Sequence, residues 1–492
     1  MAKGLMKIGN GTMGFVMKIG DGTMGFVFDD NDDGLAPPVG NLELTQNGMI
    51  RLTIPYAHPN VDNKCSVVNG TVRDWALSLG KKGAKSVFFR SVDQRITLTG
   101  LQEGIDRCPQ EVGEVIVHAG AAIFAEPTEV VDDYRVEEFA STIDGLREFA
   151  NFRGFCEEGM RLCPEGQASI KLVENECVAW ESGGLQYRIE RCDRRSRQVG
   201  KSIHFDFDAM LKTRAAEGIS LFEHYKAHTK VRALLTLLFG KRLAWRSHSV
   251  TNKMFPKMSV DGQTYTPDPV PVLLAHTMAE HVEPEISGTG LTSRQVLLSD
   301  LGKEGMKQWC DKYDDMKVFH AVAPAVEAIA NESVFMEPTL IMLAGACERF
   351  GYVHTKEERA RVACQFYACA KFAHLDALEL PFEIEQLSMF LARVYNRLKH
   401  PGKEEEYPDR TEVLVARDAL KLLARSQALT LMDVDSDLLS KFIRSEGAIF
   451  RQWIEREGFQ LREVEIPDWM NERFSEIGNL LSHGRGDSST ER

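Results

Sequence analysis

The sequence predicts an α+β fold: a β-rich N-terminal half followed by an all-α helical bundle. Three observations carry this. From about residue 40 to 210, short apolar runs alternate with period two between clusters of Gly, Asn and Asp, as half-buried strands do. After roughly residue 300 the spacing changes to three and four, in long runs joined by short polar loops. At 492 residues, 43% hydrophobic and 27% charged, the chain is long and apolar enough to bury cores in two or more domains.

The chain opens on "MKIGNGTMGFVMKIGDGTMGFVF", an eleven-residue unit (6–16) repeated almost verbatim at 17–27. Each copy holds Gly-x-Gly-x-x-Gly: Gly9, Gly11, Gly14 and Gly20, Gly22, Gly25. A dinucleotide-binding turn needs a strand before the glycines and a helix after them, so that backbone N–H groups meet the pyrophosphate. Here Phe-Val follows each third glycine and no helical stripe begins. Asn10-Gly11 and Asp21-Gly22 instead predict hairpin turns. Residues 1–28 are therefore read as a duplicated glycine-rich leader that includes the first strand.

"GNLELTQNGMIRLTIP" alternates Leu42, Leu44, Ile50, Leu52 and Ile54 around an Asn47-Gly48 turn, and predicts a hairpin. "GEVIVHAGAAIF", "ASIKLV", "LQYRIERC" and "KSIHFDFD" predict further strands. Two helices are predicted among them, over "VEEFASTIDGLREFANF" (136–152) and "ISLFEHYKAHTKVRALLTLLFG" (219–240). "DGQTYTPDPVPV" predicts a loop, and "VEPEISGTG" the connection between halves. Helices are then predicted over 317–330, 338–350, 356–375, 381–400, 410–429 and 437–457. The segments are a β-rich domain at 29–290, a helical domain at 291–460, and a C-terminal extension with a disordered tail at 461–492. The Arg485-Gly486-Asp487 tripeptide in that tail is read as chance.

A net charge of −13 argues against non-specific coating of nucleic acid and leaves room for a local basic site. No apolar run reaches bilayer length and no signal-peptide pattern opens the sequence, so the expectation is a cytoplasmic protein with no membrane span. The ten cysteines are scattered and are read as reduced thiols.

The helix over 382–400 carries the best candidate chemistry. Ile384, Leu387, Leu391, Val394 and Leu398 form one apolar stripe, and Arg393, Asn396 and His400 cluster roughly 150° from its centre, with Arg397 at the edge. Pro401 stops the helix and leaves His400 at the negative end of the macrodipole. An Arg, an Asn and a His on one face suit RNA transesterification without a metal. The imidazole moves the 2′-hydroxyl or leaving-group proton, the guanidinium offsets phosphate charge, and the amide orients either group.

"RVYNRLKHP" resembles the Arg-x(4–6)-His signature of HEPN domains. The strand-rich half resembles the N-terminal domain of ApeA-type abortive-infection proteins, on "MGFVF" (24–28), "VGNLEL" (39–44), "SVVNGTVRDWALSL" (66–79), "AGAAIFAE" (119–126) and "FASTIDGLREF" (139–149). In the same order that family places a Gly-aromatic strand, a Gly-x-Leu strand, an Ile-x-Gly strand and a helix before an aromatic. The two likenesses span residues 24–450, and they imply that the second leader copy supplies the family's first strand while the first copy is supernumerary. They imply an anti-phage, metal-independent HEPN endoribonuclease with no cofactor and a dimer joined through a HEPN-like bundle. They also imply an RNA substrate and a phage-derived trigger. Arg393, Asn396 and His400 become catalytic, and Arg397 and Lys399 RNA-phosphate ligands. One departure is that Tyr395 stands where related proteins place Arg directly before the Asn. It supports the alternative of a catalytically inactive binding or regulatory module.

Other constellations are weaker. Asn479 and His483 repeat the Asn-to-His spacing, but Arg473 lies about 80° away on the wheel. His224 and His228 have the i, i+4 spacing of zinc ligands, yet no third ligand accompanies them, and they are read as a polar helix surface. Arg191, Arg194, Arg195, Arg197 and Lys201 are read as a solvated basic turn between strands in preference to an RNA-phosphate site.

Overall fold

The computed structural model describes residues 22–484 except 30–36, 58–65, 82–85, 108–111, 132–133, 163–167, 173–175, 199–201, 259–263, 266–267, 278–295, 332–335, 358–359, 401–406 and 462–464. The chain is α+β, β-rich first and helical after residue 297. Its first elements are β1 (Thr23–Phe28), β2 (Val39–Leu44), β3 (Ile50–Ala57), α1 (Ser66–Ser78), β4 (Val87–Arg90), β5 (Arg95–Leu101), β6 (Ile105–Arg107) and β7 (Val112–Ile123). Antiparallel pairings run β7–β3–β2–β1–β4–β5 and return to β7, closing a small six-stranded barrel. Alternate residues point inward and fill it: Leu42, Leu52, Ile54, Phe89, Leu98 and Val117 are fully buried.

The expected β2–β3 hairpin forms, with Gly48 at φ 74° and the Thr45 hydroxyl accepting from the Met49 N–H at 3.0 Å. The second leader copy supplies β1, as expected of it. Gly25 sits in mid-strand opposite Gly40, and a Cβ there would lie 2.5 Å from the Phe89 ring. Its glycine is a packing requirement, and strand, not helix, follows it. The first copy lies outside the described residues.

The chain continues with β8 (Arg135–Ile143), α2 (Leu146–Ala150), β9 (Phe155–Leu162), β10 (Ala168–Leu172), β11 (Cys177–Ser182), β12 (Leu185–Gln198) and β13 (Ser202–Ser220). After them come α3 (Leu221–Phe239), β14 (Trp245–Thr251), β15 (Lys257–Met258), β16 (Thr264–Tyr265) and β17 (Val270–Leu274). From the far end of β7 the sheet runs on through β17, β14, β8, β13, β12 and β11. Three expectations are corrected here. The helix expected over 136–152 is mostly β8, because Phe139, Ser141 and Ile143 are needed on the face that α3 covers; only Leu146–Ala150 is helical. The loop expected at 261–272 ends in β17, where Val270 and Val272 pair with β14. Arg191, Arg194, Arg195 and Arg197 lie within β12 rather than in a turn, since β12 pairs with β13 without a break to Gln198↔Ser202.

The helical part comprises α4 (Leu298–Tyr313), α5 (Met316–Ala330), α6 (Met336–Thr355), α7 (Val362–Phe372), α8 (Ile384–Lys399), α9 (Arg410–Leu431), α10 (Ser436–Glu457) and α11 (Asp468–Gly484). α4 and α11 are additions to the expected set. One continuous core joins Tyr187, Ile189 and Trp245 of the sheet through Leu234 and Leu238 of α3 to Trp309, Phe350 and Leu423 of the helices. At this junction Arg425 donates to the Leu237 and Leu238 carbonyls at the end of α3 and pairs with Glu446 at 2.6 Å. Among the described residues, no helix is long and apolar enough to cross a membrane.

Candidate functional site at the end of α8

The stripe expected on α8 is buried as a unit: Ile384, Leu387, Leu391, Val394 and Leu398 all face the core. The buried arc is wider than the stripe, since Phe390 and Tyr395 are also buried, and Phe390 packs edge-on against Phe459. Lys399 is the last helical residue, and the His400 N–H closes the final turn on the Asn396 carbonyl at 3.0 Å. Arg397 and Lys399 in that turn complement the exposed C-terminal carbonyls.

Asn396 and His400 are exposed, one helical turn apart, with the exposed Lys399 beside them. The Lys399 ammonium lies 5.2 Å from the Tyr395 ring centre and 3.4 Å from its hydroxyl. Arg397 is half-buried on the same turn. Arg393, one turn back, is directed elsewhere. Its Nη2 donates to Glu412 Oε1 at 2.7 Å, and its guanidinium rests 5.6 Å from the Phe390 ring centre. Glu412 is the third residue of the capping box of α9: its carboxylate accepts from the Asp409 N–H, and its own N–H donates to Asp409. Arg393 therefore ties α8 to the start of α9. Sequence reasoning missed Glu412 as its partner, although Asp409-x-x-Glu412 is a legible cap signal.

So the fold groups Asn396, Arg397, Lys399 and His400 at one exposed helix end. Arg393 stands adjacent, its charge offset by a carboxylate. Tyr395, at the position the HEPN pattern gives to Arg, faces the core and packs 6.3 Å from the Phe366 ring.

The second Asn-to-His spacing does not gather an arginine: Arg473 pairs with Glu476 at 2.6 Å and Glu357 at 2.9 Å. The His483 side chain is outside the described residues. The reading of His224 and His228 as helix surface is wrong, because α3 packs this face onto β8, β13 and β14 and both rings are fully buried. There they meet His248 in a chain of hydrogen bonds. His248 Nδ1 lies 2.8 Å from Ser141 Oγ, which lies 2.9 Å from His228 Nδ1. His228 Nε2 lies 2.9 Å from Thr213 Oγ1, Thr213 Oγ1 lies 2.9 Å from His224 Nδ1, and His224 Nε2 lies 3.1 Å from the Val136 carbonyl. A carbonyl only accepts, so His224 carries its proton on Nε2. With neutral rings the direction then propagates: Thr213 donates to His224, His228 to Thr213, Ser141 to His228 and His248 to Ser141. Burial lowers the pKa of His224 and drives that of His228 well down, with the other two imidazoles adding to the effect at His228. Among the described residues, no group of three or more His, Cys, Asp or Glu is arranged to hold a metal ion. The described cysteines are free thiols.

Compared with protein-family models, curated proteins and solved structures, the chain matches none.

Proposed function

We propose that the protein is a metal-independent endoribonuclease of HEPN type, acting as a cytoplasmic homodimer in abortive-infection defence. The observation that supports this is the exposed end of α8, where His400 and Asn396 stand one turn apart beside two cations. His400 withdraws the 2′-hydroxyl proton, the 2′-oxygen attacks phosphorus, and the 5′-oxygen leaves with a proton, so the product ends in a 2′,3′-cyclic phosphate. Asn396 orients the imidazole or the 2′-hydroxyl. Arg397 and Lys399 hold the flanking phosphate. Arg393 offsets charge on the pentavalent transition state by exchanging Glu412 for phosphate when two such helix ends meet in the dimer. The β-rich half senses a phage-derived trigger.

The test is purified protein incubated with total RNA in EDTA, with the ends of the products sequenced. Cyclic phosphate ends, and resistance of a substrate with 2′-deoxyribose at the cut position, are expected. Cleavage of that substrate, or complete inhibition by EDTA, overturns the mechanism. A second reading is a catalytically silent module that binds RNA or a protein partner. The Arg393–Glu412 pair favours it, because it occupies the guanidinium that the chemistry needs. RNA left intact by protein that still binds it selects this second reading.

A further inference from the structure

β1 breaks a rule that its neighbours on the barrel wall obey. A strand with one face in the core and the other in water alternates apolar-in with polar-out. On β3 the outward residues Arg51 and Thr53 lie between the buried Ile50, Leu52 and Ile54, and opposite them on β2 are Glu43 and Asn41. On β1 the inward residues are Gly25 and Val27, so Met24, Phe26 and Phe28 point outward. Met24 is 59% and Phe26 50% exposed, and Val39, directly opposite Phe26 on β2, is 41% exposed. Three large apolar side chains thus share one solvent face. Contiguous apolar patches mark interaction sites, where lone exposed apolar side chains do not.

The other flank of Phe26 is cationic. Arg90 stands directly opposite it on β4, and Arg95 directly opposite Arg90 on β5. Like charges set directly across a ladder cost stability. The fold holds them there all the same, because Glu126 accepts from both guanidiniums, from Arg95 at 2.8 Å. Arg90 also rests against the Phe28 and Phe88 rings, 5.9 and 5.6 Å from their centres. One carboxylate against two cations leaves a net positive charge, and both arginines stay exposed. The neighbouring Asp29 is engaged elsewhere, accepting from the Trp75 indole of α1 at 2.6 Å. A row across four strands therefore reads Val39, Phe26, Arg90, Arg95, in steps of about 4.8 Å. It is apolar at one end and cationic at the other.

We propose that this wall of the barrel is the docking face for a partner protein. The partner sets an apolar side chain against Met24, Phe26 and Val39, and a carboxylate against Arg90 and Arg95. Charge complementarity selects that occupant, and the tethered guanidiniums are already in place to meet it. RNA suits the face less, because Glu126 offsets one of the two cations and Met24 and Val39 offer no ring for a base to stack on. That the partner is the phage-derived trigger rests on the proposed function. The docking of an acidic, apolar segment here does not.

The test pans a yeast-displayed library of random peptides with the full-length protein, using Phe26→Ser protein as the counter-selection bait. Enriched peptides are expected to carry Asp or Glu beside Leu, Ile or Phe. A synthesised winner should bind Phe26→Ser and Met24→Ser about tenfold or more weakly, while Thr53→Ala on the polar part of the wall binds it as the wild type does. Both serine variants should keep the wild-type melting temperature, since the side chains they shorten are exposed. Panned the same way, Arg95→Glu should enrich Lys and Arg in place of the acids. No enrichment over the Phe26→Ser bait overturns the proposal, as does an Arg95→Glu selection that still favours acids. Three other occupants have their own signatures, and each also overturns it. RNA shows as oligouridylate binding that Phe26→Ser abolishes. A second copy of the chain shows as a dimer that Phe26→Ser dissociates. The leader shows as peptide binding that appears only when residues 2–16 are deleted. If the selected peptides bind as expected but the protein cuts no RNA, the docking face stands and the α8 chemistry fails.

Discussion

His400 and Arg393 lie seven residues apart on α8, about 10 Å along its axis, and the fold treats them oppositely. His400 is exposed and carries no core contact, so His400→Ala should lower RNA cleavage by a factor of about 10² to 10⁴ and leave the melting temperature unchanged. Arg393→Ala should abolish cleavage and also destabilise the bundle by about 2 kcal/mol, because it strips the cation from a Glu412 carboxylate only 8% exposed. Arg397→Ala should only weaken cleavage. Mixing the His400→Ala and Arg393→Ala proteins should restore part of the activity if each site is completed across a dimer. A dead Arg397→Ala beside a fully active Arg393→Ala would reverse the assignment of the arginines. The face of α8 was legible because a 3.6-residue period orders side chains about their own axis. The Glu412 contact was not, since that period is blind to what a neighbouring helix presents.

At the scale of elements, the buried histidines of α3 make stability depend on pH. Both His224 and His228 have pKa values lowered by burial. Above the ordinary histidine value of about 6.5 they are neutral in folded and unfolded chains alike, and stability is complete. As pH falls below that value the unfolded chain takes up protons that the folded one refuses. Stability then drops, with about 1.4 kcal/mol per pH unit as the ceiling for one histidine that stays neutral when folded. Urea midpoints at pH 7.5 and 5.0 measure this, and His228→Gln should shrink the difference, since burial depresses His228 the more strongly. A midpoint indifferent to pH would show that His224 and His228 are protonated in place. The helix itself was readable from sequence. Its inward face was not, because the partners Ser141, Thr213 and Val136 come from strands dozens of residues or more away on one side and from β13 just before it on the other. Arg425 is a similar long-range tie. Arg425→Met should cost about 3 kcal/mol, because it leaves Glu446 and two helix-end carbonyls without their donor, and a urea titration reads the loss.

Across the whole molecule, local alternation placed β2, β3, β7, β10, β12 and β13 but missed others, among them β8, expected as helix, and β17, expected as loop. Nothing in it says that β7 pairs with β3, β5, β6 and β17 and so joins a closed barrel to an open sheet. Such closure is decided by which edges meet, and edges carry no period. The duplicated leader is where sequence and architecture can be set against each other most sharply. Both copies carry the same Thr-Met-Gly-Phe-Val stretch, and β1 in the barrel is made by the second. Within it, Val27 is buried, and Gly25 presses its backbone against Phe89, where a Cβ would lie 2.5 Å from the ring and 2.6 Å from the Arg90 carbonyl. Gly25→Ala must therefore push the strand or the ring aside, at a cost of about 1 to 3 kcal/mol. Gly14→Ala makes the identical change in the first copy and should leave the melting temperature within about 1 °C of the wild type. Deleting residues 2–16 should do the same, since the whole of the second copy remains to close the barrel between β2 and β4. A pair of nucleotide-binding loops would behave differently: both alanine substitutions would weaken binding, and NAD or ATP would raise the melting temperature of the wild type by several degrees. Thermal scans of the four proteins with and without nucleotide separate the cases. Loss of soluble protein on the deletion would show that the first copy carries structure, and a nucleotide-dependent shift would restore the glycines as a ligand loop.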